Sequence, residues 1–211
     1  MADFFAVGAE NLTDTHMLSD FRAKDAALVE PLACVCKAMK LTFGAFGPDS
    51  VERCAVIGLG GMGLLHMLCL PRTTVGYDLD PSRQNWCTGL GLIGKHPSEV
   101  ERADVVFVCP GSQAAFDFAL SILEPGGTIV CFAPLGPGQA LAVPQSAYFS
   151  DVKIVNSYSC GPDDVAKAIE LLRSGAVRAE QVCSHFIELD ELPIYYRLMK
   201  SGEILKPMVV W

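Results

Sequence analysis

Long apolar stretches are missing from this sequence: no run reaches about 18 uninterrupted apolar residues, so nothing is expected to span a membrane. The opening segment, MADFFAVGAENLTD, has neither the basic start nor the long apolar centre of a signal peptide. Charge is scarce too, at 19% of residues. Basic charge is scarcest, with 16 Lys and Arg against 24 Asp and Glu and a net charge of −8. A field of that sign makes nucleic acid and anionic membrane poor partners. No C-x-x-C occurs, and none of the four histidines lies close to another. A self-contained zinc site is therefore not expected, and zinc is expected to be absent.

Apolar residues are abundant, at 51% of 211 residues. That length suits one domain with a sizeable core. So low a charged fraction leaves apolar surface to cover, which suggests a homodimer or higher oligomer. The nine cysteines are odd in number and scattered through apolar segments. They read as free thiols in a reducing compartment, not as bridges. The expected setting is cytoplasmic.

The order of elements points to an α/β fold. Residues 24–42 carry helical spacing interrupted by Pro31, which suggests a short turn and then a helix starting near Pro31. Strands are expected at 54–58, 73–78, 104–109, 128–133 and 153–159, with a turn at Pro125-Gly126-Gly127. Helices are expected at 64–70, from Pro81 with Asp80 as N-cap, at 113–123 and from Pro162. Residues 185–211 read as strand, helix and strand. Nearly continuous apolar strands alternating with helices mean a parallel sheet covered on both faces. The expected fold is a doubly wound parallel sheet of the Rossmann type, a single domain over 24–211. Residues 1–23 form an N-terminal arm.

Gly58-Leu59-Gly60-Gly61-Met62-Gly63 is a G-x-G-x-x-G between a buried strand and an apolar helix, with Asp78 closing the next strand. The first glycine permits the tight turn, and the second lets the backbone approach a pyrophosphate. The third lets helix and strand pack closely, while the helix N-terminus offers N–H donors. Asp78 is placed to accept hydrogen bonds from an adenosine ribose, which favours NAD(H). Leu79 and Arg83 follow it, and Arg83 falls where it could lie over an adenine. In such sheets the ligand crosses the carboxyl ends of the strands. Cys109, Pro110 and Gly111, and Phe132, Ala133 and Pro134, end two later strands and are expected to border the far half of a dinucleotide. Tyr158, Ser159 and Cys160 end another strand and bring hydroxyls to that edge.

These residues resemble the zinc-type medium-chain dehydrogenases/reductases, in the sorbitol, threonine and alcohol dehydrogenase branch. The resemblance runs through Glu30-Pro31-Leu32-Ala33-Cys34-Val35, the glycine loop, Asp78–Arg83, Ser157–Asp164 and Leu205–Val210. It implies a Rossmann cofactor domain, hydride transfer between NAD and an alcohol carbon bound to zinc, and a sheet edge that pairs across a dimer. For that edge, residues 140–147 or 153–158 are the candidates. It also implies a GroES-like domain supplying the catalytic Cys and His ligands, of which only a last strand, in residues 3–17, has a counterpart here. The expectation is thus a truncated relative, completed by a separate partner chain or active without zinc. Glu30 matches a position beside the family's catalytic metal. With Tyr158 and Ser159 it is a candidate for catalysis. The link from Gly91 to Arg102 reads as short, implying a trimmed sheet. The competing function is a non-catalytic nucleotide-binding or interaction module. A methyltransferase is disfavoured, because Val56-Ile57 stand where an acid is usual.

Overall fold

The computed structural model describes residues 6–44 and 47–210. Its centre is a six-stranded parallel sheet in the order β3-β2-β1-β4-β5-β6. The strands are β1 (Cys54–Ile57), β2 (Val75–Tyr77), β3 (Ile93–Lys95), β4 (Ala103–Val108), β5 (Leu123–Cys131) and β6 (Lys153–Asn156). Chain order reverses beside β1, which pairs with β2 on one side and β4 on the other. That is the doubly wound arrangement, with its ligand crevice at the reversal.

Alternation along the central strands divides the core. Cys54 and Val56 of β1 and Val105 and Phe107 of β4 face one layer. The helices α2 (Val29–Phe43), α3 (Gly61–Cys69), α4 (Pro81–Gly89) and α7 (Pro162–Arg173) supply its cover. Ala55, Ile57, Val106 and Val108 face the other layer, under α5 (Gln113–Ile122). Every residue of β1 is buried, as a central parallel strand requires. Asp80 caps α4 by accepting from Ser82 N at 2.8 Å, as its position before Pro81 predicts.

The chain then forms α8 (Ala179–Val182), β7 (His185–Ile187), α9 (Leu192–Ser201) and β8 (Pro207–Val209). β7 and β8 pair in parallel as a separate two-stranded sheet, not as further strands of the main one. Trp211, expected to close the last strand, lies outside the described residues. So do residues 1–5 of the arm.

Several expectations are corrected. The link 91–102 contains β3, so the sheet is not trimmed at this edge. β3 escapes the apolar pattern because it is three residues long with a central glycine and no fully buried position. α2 begins at Val29, not at Pro31, since proline is tolerated throughout a first turn. The Pro125-Gly126-Gly127 turn is instead an irregularity within β5, where the register to β4 shifts between Ala103 and Val105. Residues 140–147 form no strand; α6 (Gln145–Phe149) follows Pro144 there. Residues 6–17 also contain no strand, but a 3-10 helix at Ala9–Asp14.

The short helix α1 (Ala23–Ala26) is clasped to α8 through Asp25. That buried carboxylate accepts from Ala179 N at 2.8 Å, Arg22 Nε at 2.7 Å and Arg178 Nη1 at 3.0 Å. Burial alone would raise its pKa, but these donors outweigh burial and hold it at about 2. No helix among the described residues is long and apolar enough to cross a membrane.

Candidate functional site

The β1–α3 turn shows what each glycine is for. Gly58 adopts φ +85°, which L side chains rarely take. Gly63 is excluded from carrying a side chain by contact, since a Cβ there would lie 1.8 Å from Gly58 O. Gly60 is different: its φ of −72° is ordinary, and a Cβ would meet nothing nearer than Arg83 Nη1 at 4.0 Å. The space beyond Gly60, at the N-terminus of α3, is therefore open to a ligand. A Cβ on Gly61 would press on Lys206 Cδ at 3.2 Å, and the Met62 side chain packs against the core.

Asp78 follows β2 directly and is nearly buried. Its Oδ2 accepts from Leu59 N at 2.7 Å, which braces the glycine turn, and its Oδ1 accepts from Asp80 N at 2.9 Å. Arg83 Nη1 stands 3.6 Å from Asp78 Oδ2, and Arg83 Nε, 3.7 Å from Asp80 Oδ2, makes no hydrogen bond. Beside them lies a cavity of about 440 Å³, walled mainly by Leu79, Pro97, Pro110, Ala115 and Phe118. Leu79 hangs at its rim, 74% exposed.

The cavity continues along the carboxyl ends of the strands. A second one, of about 260 Å³, shares Pro110 and Ser112 with the first. A third, of about 420 Å³, shares Cys131, Ala133, Pro134 and Asn156 with the second. Together they make a trough from Asp78 to α2. Gly111 sits where a Cβ would come within 1.9 Å of Pro134 O, so the loops after β4 and β5 touch through backbone. Phe132 lines the third cavity and meets His66 edge-on, ring centroids 4.7 Å apart.

Cys109 and Met62 therefore differ from their neighbours in the expected cofactor set, because their side chains turn inward. The Cys109 thiol lies 3.8 Å from His66 Nδ1, and burial pushes its pKa up to about 12. Both residues remain partly exposed, packed against the core by one side. His66 is fully buried, and its Nδ1 lies 2.8 Å from Met62 O. A carbonyl only accepts, so Nδ1 carries the proton and Nε2, without a partner, does not. Burial lowers the His66 pKa to about 4, against a weaker upward push from Met62 O.

At the far end of the trough stand the expected catalytic candidates. Glu30 and Cys34 lie one turn apart on α2, with Cys34 Sγ 3.2 Å from Glu30 Oε1. Tyr158 and Ser159 follow β6 and line the third cavity with them. Tyr158 is 86% exposed, and its carbonyl accepts from Lys37 Nζ at 2.7 Å. Ser159 adopts φ +57°, and the buried Ser157 Oγ has no hydrogen-bond partner.

One expectation fails here. Sequence spacing suggested no set of metal donors, yet Glu30, Cys34 and Cys160 bring one ligand atom each to within 4.8 Å of the others. Two sulfurs and a carboxylate suit a thiophilic cation such as zinc. Two of the three are legible as an i, i+4 pair on a helix, but Cys160 arrives by the fold alone. The apolar walls Pro97, Ala115 and Phe118 were likewise not foreseen, since nothing marks them before the cavity is formed.

Comparison with known proteins finds similar sequences and a shared fold. Residues 95–174 match the family model described as zinc-binding dehydrogenase. D-altritol 5-dehydrogenase of Agrobacterium fabrum is 28% identical over 97% of this chain and 63% of its own length. The probable D-xylulose reductase A of Aspergillus clavatus is 21% identical over 88% of this chain and 56% of its own. The chain thus spans about three fifths of these relatives. Among solved structures, a zinc-binding dehydrogenase from Sinorhizobium meliloti 1021 bound to NADP shares the fold with a TM-score of 0.79. It is 20% identical, over 93% of this chain and 62% of its own. Sheet order and glycine turn agree with these likenesses: residues 95–174 carry the match to the zinc-binding dehydrogenase model, and the chain is similar in sequence to polyol and alcohol dehydrogenases over about three fifths of their length.

Proposed function

We propose that the trough binds a nicotinamide adenine dinucleotide, NAD(H) in preference to NADP(H), and that the chain serves an oxidoreductase acting on a polyol or alcohol. The observation that carries this reading is Asp78, a nearly buried carboxylate between the open glycine turn and the apolar cavity. An ionised carboxylate has about four acceptor positions. Two hold Leu59 N and Asp80 N, which leaves capacity for two ribose hydroxyls. The cavity at Leu79 and Phe118 suits an adenine ring, and the first turn of α3 offers N–H groups to the pyrophosphate. The loops holding Pro110, Gly111, Ala133 and Pro134 lead the remaining half toward Glu30, Tyr158 and Ser159.

When bound, the dinucleotide supplies the hydride donor or acceptor. The chain's own contribution is to grip the adenosine half, orient the rest along the strand ends and flank the far cavity with acid and hydroxyl groups. The Sinorhizobium neighbour holds NADP, so the preference here rests on the acid. A 2′-phosphate about 5 Å from Asp78 would be repelled by roughly 3 kcal/mol at an effective dielectric of about 20. That is on the order of a hundredfold in affinity, partly offset by Arg83. NADH and NADPH titrations of the chain and of Asp78→Ser test this. The unaltered chain is expected to prefer NADH, and the substitution to weaken NADH and narrow the gap. Equal affinity for both cofactors, or a substitution that moves neither, would remove Asp78 from the ribose site.

The names of the relatives, an altritol dehydrogenase and a xylulose reductase, make a polyol the favoured substrate class. Pairing of a second copy at the free edge of β6 is part of the same proposal, since a parallel sheet ends there with unpaired backbone groups.

A further inference from the structure

We infer that Glu30, Cys34 and Cys160 form a binding site for one thiophilic divalent cation of the zinc class, with all three protein ligands drawn from this chain. The resemblance would place Glu30 next to a metal held by Cys and His residues of another domain. Here two thiols of the chain itself surround that carboxylate, so the assignment of Cys34 and Cys160 is new.

The distances favour it. Zinc holds sulfur at about 2.3 Å and carboxylate oxygen at about 2.0–2.2 Å in tetrahedral geometry, which puts neighbouring donors roughly 3.5–3.8 Å apart. Cys34 Sγ and Glu30 Oε1 are already 3.2 Å apart, and no pair in the trio exceeds 4.8 Å. Closing the set needs rotamer adjustment, not backbone rearrangement. Among the described residues no second group of His, Cys, Asp or Glu donors is drawn together in this way.

Local structure presents the trio from firm supports. Glu30 and Cys34 project from one face of α2, a fifteen-residue helix whose neighbours Leu32, Ala33 and Val35 are fully buried. Cys160 comes from the loop between β6 and α7. Ser159, in the left-handed region, turns the chain just before it, and Lys37 of α2 ties that loop down through Tyr158 O. Three protein ligands leave a coordination position open, as in sites where a metal meets solvent or substrate. Glu30 and Cys34 also line the 420 Å³ cavity, so that position has a space to face.

Without a cation, the Cys34 thiol donates to Glu30 Oε1. A divalent cation replaces the thiol protons, which leave to solvent, and neutralises most of the resulting charge. No electron transfer is involved.

The test uses the full chain, reduced and stripped of metal by a chelator, without dinucleotide, so that failure of the cofactor reading would not affect it. Zn²⁺ binding is followed by equilibrium dialysis with metal analysis, and Cd²⁺ binding by the thiolate-to-cadmium absorbance. One cation per chain is expected. Cys34→Ser and Cys160→Ser should each lower affinity on the order of tenfold or more, and Cys87→Ala, a buried thiol on α4, should leave it unchanged. Because a substituted chain could fail to fold, alkylation of the unsubstituted protein is mapped in parallel. Zinc is expected to protect Cys34 and Cys160 selectively. Binding well below one cation per chain, protection at other cysteines, or undiminished affinity in both serine variants would overturn the site. So would recovery of a Cys34–Cys160 disulfide from reductant-treated protein.

Discussion

Gly60 and Gly63 stand three positions apart in one motif, yet the structure assigns them different burdens. A Cβ at Gly63 collides with Gly58 O, whereas one at Gly60 enters open space that a ligand would need. Gly63→Ala should therefore cost about 2–3 kcal/mol of stability through overpacking. Gly60→Ala should cost at most about 1 kcal/mol, as a helix N-cap, yet abolish tight NADH binding. Thermal unfolding and NADH titration of the two variants check this, and the opposite pattern would move the dinucleotide away from Gly60. His66 makes a second residue-scale prediction. Its native pKa of about 4 lies below its ordinary value of 6.5. The unfolded chain therefore takes up a proton below pH 6.5 that the native chain refuses until about pH 4. The His66 contribution is intact above pH 6.5 and declines as pH falls, by about 3 kcal/mol in all. Urea unfolding across that window should show the decline, and His66→Leu should flatten it.

Among the elements, those buried on two sides were legible and those at edges were not. β1 and β4 announce themselves because both faces are covered and the apolar run is unbroken in β1 and, after Asp104, in β4. β3 and α6 lie at the margins of the sheet, where three to five residues form an element with little burial, and composition says nothing distinctive. The turn expected at Pro125-Gly126-Gly127 shows a further limit. Local chemistry favours a bend, but Gly126 N bonds Ser150 O at 2.7 Å and the segment stays within β5. The candidate site divides in the same way. The end proposed for adenosine is readable because one loop and one strand end carry it: Gly58 to Gly63, then Asp78. Its far end joins α2 to the loop after β6, and contact between segments so distant in sequence leaves no local trace.

For the molecule as a whole, oligomeric state is the accessible test. β6 ends the sheet, and near it Tyr148 and Phe149 stack edge-on while remaining 80% and 73% exposed. Sedimentation at micromolar concentration should give at least twice the 22.6 kDa chain mass, and a monomer would contradict pairing through this edge.

The strand order also governs how the molecule can assemble in time. β1 at residues 54–57 pairs with β4 at 105–108, so the central ladder must wait for a closure spanning two intervening strands and two helices. Parallel sheets of this connectivity fold slowly compared with helical chains of similar size. During that interval the thiols that native burial renders inert, Cys54 and Cys109 at about 12 and Cys87 and Cys183 at about 11, are exposed at their ordinary reactivity. These four thiols are thus quiet in the native state and open to oxidation while the chain is still unfolded, so for them a reducing medium protects the path to the structure more than the structure itself.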